Sequence, residues 1–76
     1  MNFLNGKLEK YYGKKLADAT HKLKSHKKRK KELKSDLKGT SNELKIEIQK
    51  EIDRQNNLIE IWENNVIKIN EHLEKL

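Results

Sequence analysis

The chain has no cysteine and no proline. Without thiols it has no disulfide to brace a small fold and no thiolate zinc site. Without proline the strongest helix breaker is missing, and glycine is left as the main punctuation. Only three glycines occur, and aromatic residues make up just 5%. No apolar run approaches the ~18 residues of a membrane span. The start, Met1-Asn2-Phe3-Leu4-Asn5-Gly6, lacks the apolar run of a signal peptide. A cytoplasmic location is the resulting expectation.

What is present is charge. Of 76 residues, 39% are charged and 33% hydrophobic, with a formal net charge of +6. A single domain of this length supplies a thin core, usually worth only ~3–5 kcal/mol. With disulfides excluded, self-association or a larger partner is the remaining means of support. High charge with low hydrophobicity also fits a disordered chain. The order of the apolar residues argues against that.

Ile48, Ile52, Gln55, Ile59, Trp62, Val66, Ile69, Leu73 and Leu76 follow an alternating four-three spacing. This is an unbroken heptad seam with one polar member, Gln55. Upstream, Leu16, Ala19, Leu23, His26, Lys30, Leu33 and Leu37 form a second seam, with two polar members. Before it, Leu4, Leu8, Tyr12 and Leu16 step by four, a stutter in the heptad. Gly6 and Gly13 each cost about 1 kcal/mol against alanine in a helix, so helicity before Leu8 is the weakest expectation.

Between the seams, Lys38-Gly39-Thr40-Ser41-Asn42-Glu43 reads as a helix stop followed by a start. Gly39 suits a left-handed residue after a helix end, with Lys34 and Lys38 near the negative end of the dipole. Thr40 and Glu43 have capping-box spacing, which predicts Thr40 as N-cap, or Ser41 or Asn42 with a small shift. A short corner makes the helices antiparallel neighbours. The predicted architecture is all-α: one helical-hairpin domain over 1–76, coiled-coil-like, associating into a four-helix bundle. Its first helix covers about 3–38, its turn about 39–41 and its second helix about 42–75.

Reversal at Gly39-Thr40 predicts which residues face each other, with numbers that sum to about 81–82. Leu37 then meets Leu44 or Lys45, Leu33 meets Ile48, and Lys30 falls beside Glu51 and Ile52. His26 meets Gln55, so the polar seam residues share a layer. Leu23 meets Leu58 or Ile59, and Ala19 meets Trp62, the smallest seam residue against the largest. Leu16 meets Val66, Tyr12 meets Ile69 or Asn70, and Leu8 meets Leu73. Size and polarity agree with a register derived from the turn alone. Charge agrees as well. Residues 1–38 hold thirteen Lys/Arg against four Asp/Glu, net +9, and residues 39–76 hold five against eight, net −3. Glu47, Glu51 and Asp53 fall near the height of Lys27 to Lys31. Exposed pairs of this kind are worth ~0–1 kcal/mol each, so they orient more than they stabilise.

Two features point to binding. The first is the basic run: Lys22, Lys24, Lys27, Lys28, Arg29, Lys30, Lys31 and Lys34 place eight cations in thirteen positions. Such density suits phosphate contact with steep salt dependence. It also has the look of a nuclear localisation patch. The bland alternative is a solvated, partly paired helix face. Candidate nucleic-acid or anion contacts are Lys22, Lys24, Lys27, Lys28, Arg29, Lys31 and Lys34. No zinc framework, helix-turn-helix turn or interleaved aromatic accompanies them. The second feature is apolar surplus on the second helix. Leu58 flanks the seam, while Ile46, Ile61 and Ile67 point elsewhere. With Tyr11 they are candidate partner or oligomer contacts, against the bland reading of singly exposed residues. Phe3, Leu4, Leu8 and Tyr11 are expected to gather at the open end, either packed on Leu73 and Leu76 or, on the functional reading, as a docking patch.

His21 and His26 are five apart, a poor spacing for ligands on one helix face, and His72 is expected beside Glu9 or Lys10. No metal or other cofactor is expected. Neither a nucleophile with its base nor a phosphate loop is present, and a two-helix hairpin offers no deep cleft for a small-molecule substrate. The expected function is therefore non-enzymatic: a protein–protein interaction module acting through its apolar helix faces as adaptor, co-chaperone, scaffold or inhibitor. The expected partner is a second copy or a larger protein. The alternative is a nucleic-acid-binding protein, indifferent to sequence, that uses Lys22 to Lys34. Attachment to an anionic membrane surface is weaker, because the basic helix lacks a Trp/Phe-rich opposite face.

Overall fold

The computed structural model describes residues 3–76, with side chains from Asn5 onward. It contains two helices, α1 (Phe3–Leu37, 35 residues) and α2 (Asn42–Glu74, 33 residues). A helix of 35 residues is ~52 Å long. The molecule measures 60 × 14 × 12 Å, the length of one helix and the width of two. It is an all-α helical hairpin with its helices packed side by side. The helical stretch includes Gly6 and Gly13, so α1 begins well before Leu8. Its extension costs about 1 kcal/mol per glycine.

The two heptad seams form the contact. Ala19, Leu33, Ile52, Gln55 and Ile59 are buried. Leu16, Leu23, His26, Lys30 and Leu37 on α1 are half-buried, as are Ile48, Trp62, Val66, Ile69 and Leu73 on α2. Of the seam residues predicted from Leu16 onward, only Leu76 is exposed, at the chain end. Burial of one stripe per helix is what a 3.5-residue repeat dictates. It also explains the thin core: among the described residues no large side chain is fully enclosed.

The corner differs from the expected one. No described residue, glycine included, has a positive φ. Gly39 therefore does not occupy the left-handed region. Instead α1 tightens at its end: the Lys38 N–H donates to Ser35 O at 3.2 Å and the Gly39 N–H to Asp36 O at 3.3 Å. These three-residue bonds satisfy terminal carbonyls without a left-handed residue. The N-cap of α2 is Ser41, not Thr40, with extended φ −70° and ψ 160°. Its carbonyl accepts the first helical bond, from Lys45 N–H at 2.9 Å, and its side chain makes no capping bond. With the start shifted by one residue, Glu43 stands one place too early to close a capping box. It still lies in the first turn, where the dipole favours an acid.

Candidate functional site

The register sets the internal layers first. His26 Nδ1 lies 2.8 Å from Gln55 Oε1, so the two polar seam residues meet as the turn geometry predicted. The Gln55 amide donates onward to Glu51 Oε1 at 3.0 Å, and Arg54 Nη1 reaches the same oxygen at 2.9 Å. A buried glutamine thus has both ends of its amide satisfied, which is the condition for tolerating it inside. The Glu51 carboxyl is held below the usual glutamate range. The Gln55 hydrogen bond is the main cause, helped by Arg54 and the charge of Arg29 across the seam, against a smaller opposing effect of burial.

The open end carries the aromatics. Tyr12 stacks on His72, with ring centres 5.0 Å apart and planes 9° from parallel. His72 was expected beside Glu9 or Lys10; its ring packs on Tyr12, two residues beyond Lys10, and stays exposed. Tyr11 meets Tyr12 edge-on at 5.2 Å and leaves its outer side to solvent. The Lys15 ammonium lies 4.9 Å from the Tyr11 ring centre. A hydrogen bond with Tyr11 is the main cause that raises its pKa above the usual lysine value. Asn5 donates to Leu76 O at 3.4 Å and ties the two chain ends. Leu8 is half-buried there, while the expected places of the Phe3 and Leu4 side chains lie outside the described residues.

The structure divides the basic run in two. Lys22 sits 3.2 Å from Asp18 and 4.6 Å above the Trp62 ring centre. Arg29 pairs with Glu32 at 3.6 Å. Lys30 is half-buried along the seam. Lys24, Lys27, Lys28, Lys31 and Lys34 are exposed, and none has a carboxylate within ion-pair distance among the described residues. The acids expected at this height are engaged within α2. Glu47 pairs with Lys50 at 3.6 Å, Glu51 with Arg54, and Asp53 accepts from Gln49 at 3.0 Å. Three- and four-residue spacing on one helix gives short side-chain paths, whereas the cross-helix route requires long extended lysines.

The expected partner contacts divide as well. Ile46, Ile61, Ile67 and Tyr11 are exposed, and Leu58 is half-buried beside the seam. Leu44 joins the exposed group. The sequence pattern places Leu44 opposite Leu37, but at the first turn of α2 nothing lies beyond to cover it. An open apolar cleft of roughly 440 Å³ runs beside the corner, lined by Leu37, Lys38, Lys45, Ile46 and Gln49. A second, of roughly 290 Å³, forms where Ala19 leaves room below Trp62, bounded by Lys15, Asp18, Asn65 and Ile69. A third of similar size lies on the surface of α1 between His21, Lys24, Ser25 and Lys28. Among the described residues no three His, Asp or Glu side chains gather as a metal-ligating group, and no helix is long and apolar enough to cross a membrane.

Comparison with known proteins adds no assignment: no family model, no curated protein and no solved structure matches the chain.

Proposed function

We propose that the hairpin is a non-enzymatic interaction module that uses its outer helix faces to bind another protein surface or a second copy of itself. One observation carries this reading. Among the described residues Tyr11, Leu44, Ile46, Ile61, Ile67 and Leu76 are exposed large apolar residues, whereas Leu33, Ile52 and Ile59 are the ones of that size that are buried. A chain with a thin core and more large apolar side chains outside than inside gains most by covering them. Association of two hairpins as a four-helix bundle would do this. A larger partner acting on an adaptor, co-chaperone, scaffold or inhibitor would do the same. Sedimentation equilibrium at micromolar concentration is the test. Ile61→Glu with Ile67→Glu should shift the chain toward monomer. A wild-type chain that is strictly monomeric and captures no protein partner removes the proposal.

A second reading has its own observation. The unpaired cations Lys24, Lys27, Lys28, Lys31 and Lys34 favour nucleic-acid binding without regard to sequence.

A further inference from the structure

Within the basic run, the lysines that lack ion pairs are not scattered around α1. At 100° per residue, Lys24, Lys27, Lys28, Lys31, Lys34 and Lys38 fall within an arc of about 120°. From Lys14 to Lys38 the acids of α1 are Asp18, Glu32 and Asp36. They cluster on the opposite flank within about 40° of one another. Lys22 and Arg29 lie on that acidic flank and are the two that form ion pairs. The basic run is thus sorted by the helix into a paired side and an unpaired side.

The unpaired side continues onto α2. In an antiparallel pair the residues that follow the seam in the same rotational sense come to the same flank of both helices. Lys38 and Lys45 line one cleft, which shows that continuity directly. Lys45 therefore extends the face across the corner. Glu43, Glu47 and Glu51 turn to the other flank by the same geometry. Asp53 lies toward the back of α2 and is held by the Gln49 amide. The lysine face runs from Lys24 to Lys38, roughly 21 Å along α1.

We infer that this face binds the phosphate backbone of a double-stranded nucleic acid, an inference that rests on the second reading above. Charge complementarity selects phosphate. Along ~21 Å a duplex presents about twelve phosphates, one per ~1.7 Å of axis. That is ample for six or seven lysines. Duplex is favoured over single strand because the face holds no stacking platform. Trp62 is on the other flank beneath Lys22, and Tyr12 is covered by His72. Single-strand grooves pair cations with exposed rings, each worth ~1–3 kcal/mol per base. Lysine contacts to phosphate position a protein without reading bases, so the binding is indifferent to sequence.

The test is fluorescence anisotropy with a mixed-sequence DNA duplex, titrated from low to physiological salt. The expected log–log salt slope is about −5, from ~0.9 per neutralised phosphate. The triple variant K24E/K28E/K31E should bind at least ~100-fold more weakly at low salt, with a slope smaller by about three. K24Q/K28Q/K31Q should weaken binding in the same direction, and its helicity by circular dichroism guards against a folding artefact. The control K14E/K68E/K75E makes the same change in net charge away from this face. It should stay within about tenfold of wild type, because distant exposed charges are screened. Equal loss in the control and the test variant overturns the inference. So does tighter binding to anionic phospholipid vesicles than to duplex. Single-stranded DNA of equal phosphate number bound as tightly as duplex overturns the duplex assignment but leaves the second reading. Failure to bind either nucleic acid at low salt overturns both.

Discussion

Lys22 and Lys31 stand nine residues apart on α1, and their surroundings differ in every respect. Lys22 has a carboxylate at 3.2 Å and an indole ring at 4.6 Å. Lys31 has neither, and its helix neighbours on that side are other lysines. The first belongs to a flank that carries Asp18, Glu32, Glu47, Glu51 and their cationic partners. The second belongs to the stretch of the other flank between Lys24 and Lys45, where Asp53 is the one acid and Glu60 and Glu63 stand beyond its Lys24 end. A 100° step between residues is enough to sort a nearly continuous run of cations into these two environments. One flank pairs its cations with acids on the same helix, and the other leaves its lysines exposed without ion pairs. Both flanks depend on the seam between them, so the seam is where the comparison breaks most completely.

Ile52→Ala has the largest expected effect. Ile52 is 3% exposed, in the layer beside the lysine face and the Glu51 cluster. Truncation of a buried isoleucine costs about 2–5 kcal/mol. That equals the whole stability expected of a core this small. The variant should lose most of its helical ellipticity at 37 °C, and both flanks with it. Retention of a wild-type melting temperature would show that the seam is not what holds the helices together.

The polar layer has a subtler effect. The double variant H26L/Q55L should be more stable by about 1–3 kcal/mol, since two seam positions would bury apolar side chains in place of a hydrogen-bonded pair. Specificity of pairing should decrease, because a hydrogen-bonded polar layer in a mostly apolar seam fixes register. Sedimentation velocity should then show a mixture of assemblies where wild type shows one. A lower melting temperature for the double variant would mean that the layer stabilises the fold outright.

The same layer makes the paired flank sensitive to acid. The Glu51 carboxyl is held low mainly by the Gln55 amide and then by Arg54. A depressed carboxyl contributes stability that is present above its unfolded value and is lost as pH falls through the folded one. Thermal melts should therefore show a decline in stability through and below the ordinary carboxylate range. That decline should be smaller in Glu51→Gln. An unchanged acid profile in Glu51→Gln would remove the layer from the account.

Lys22→Ala and Lys31→Ala compare the flanks most directly. Loss of an exposed cation–ring contact and a surface ion pair should cost Lys22→Ala about 0.5–1 kcal/mol. Lys31→Ala should change stability by less than about 0.5 kcal/mol and raise it slightly at low salt, where like charges repel. Chemical denaturation at two salt concentrations separates the two. Equal losses would mean that the two lysines share one environment.

The seam was legible in the sequence because burial on one helix face leaves a periodic mark that later contacts do not alter. The pairing of His26 with Gln55 followed from the corner by counting. The division of the basic run was harder to read, since a run of five cations covers the whole circumference of a helix. Only the position of the partner helix shows which of them have acids nearby. Lys38 and Lys45 were missed as members of the lysine face because they lie outside the run in sequence, although the register already placed Lys45 beside Leu37. The expected cross-helix ion pairs lost to local ones. Glu47 and Glu51 have a cation three residues away, and a short path on one helix wins over a long reach between two.

The corner was misread because glycine permits a left-handed residue without requiring one. That misreading yields a small effect with a clean sign. In the left-handed region an alanine would be strained, and Gly39→Ala would destabilise the hairpin. With no positive φ at any described glycine, and no atom within 4 Å of the position a Cβ would take, nothing opposes the added methyl. The remaining effect is on the unfolded chain, which loses conformational freedom when glycine is replaced. Gly39→Ala should therefore stabilise the hairpin by about 0.4–1 kcal/mol in urea denaturation, with an unchanged m-value. Lys38 and Lys45 would keep their places on either side of the corner, so duplex binding should be unaffected. A loss of stability in Gly39→Ala would show that the chain reverses through a left-handed glycine after all, which would alter how the lysine face passes from one helix to the other.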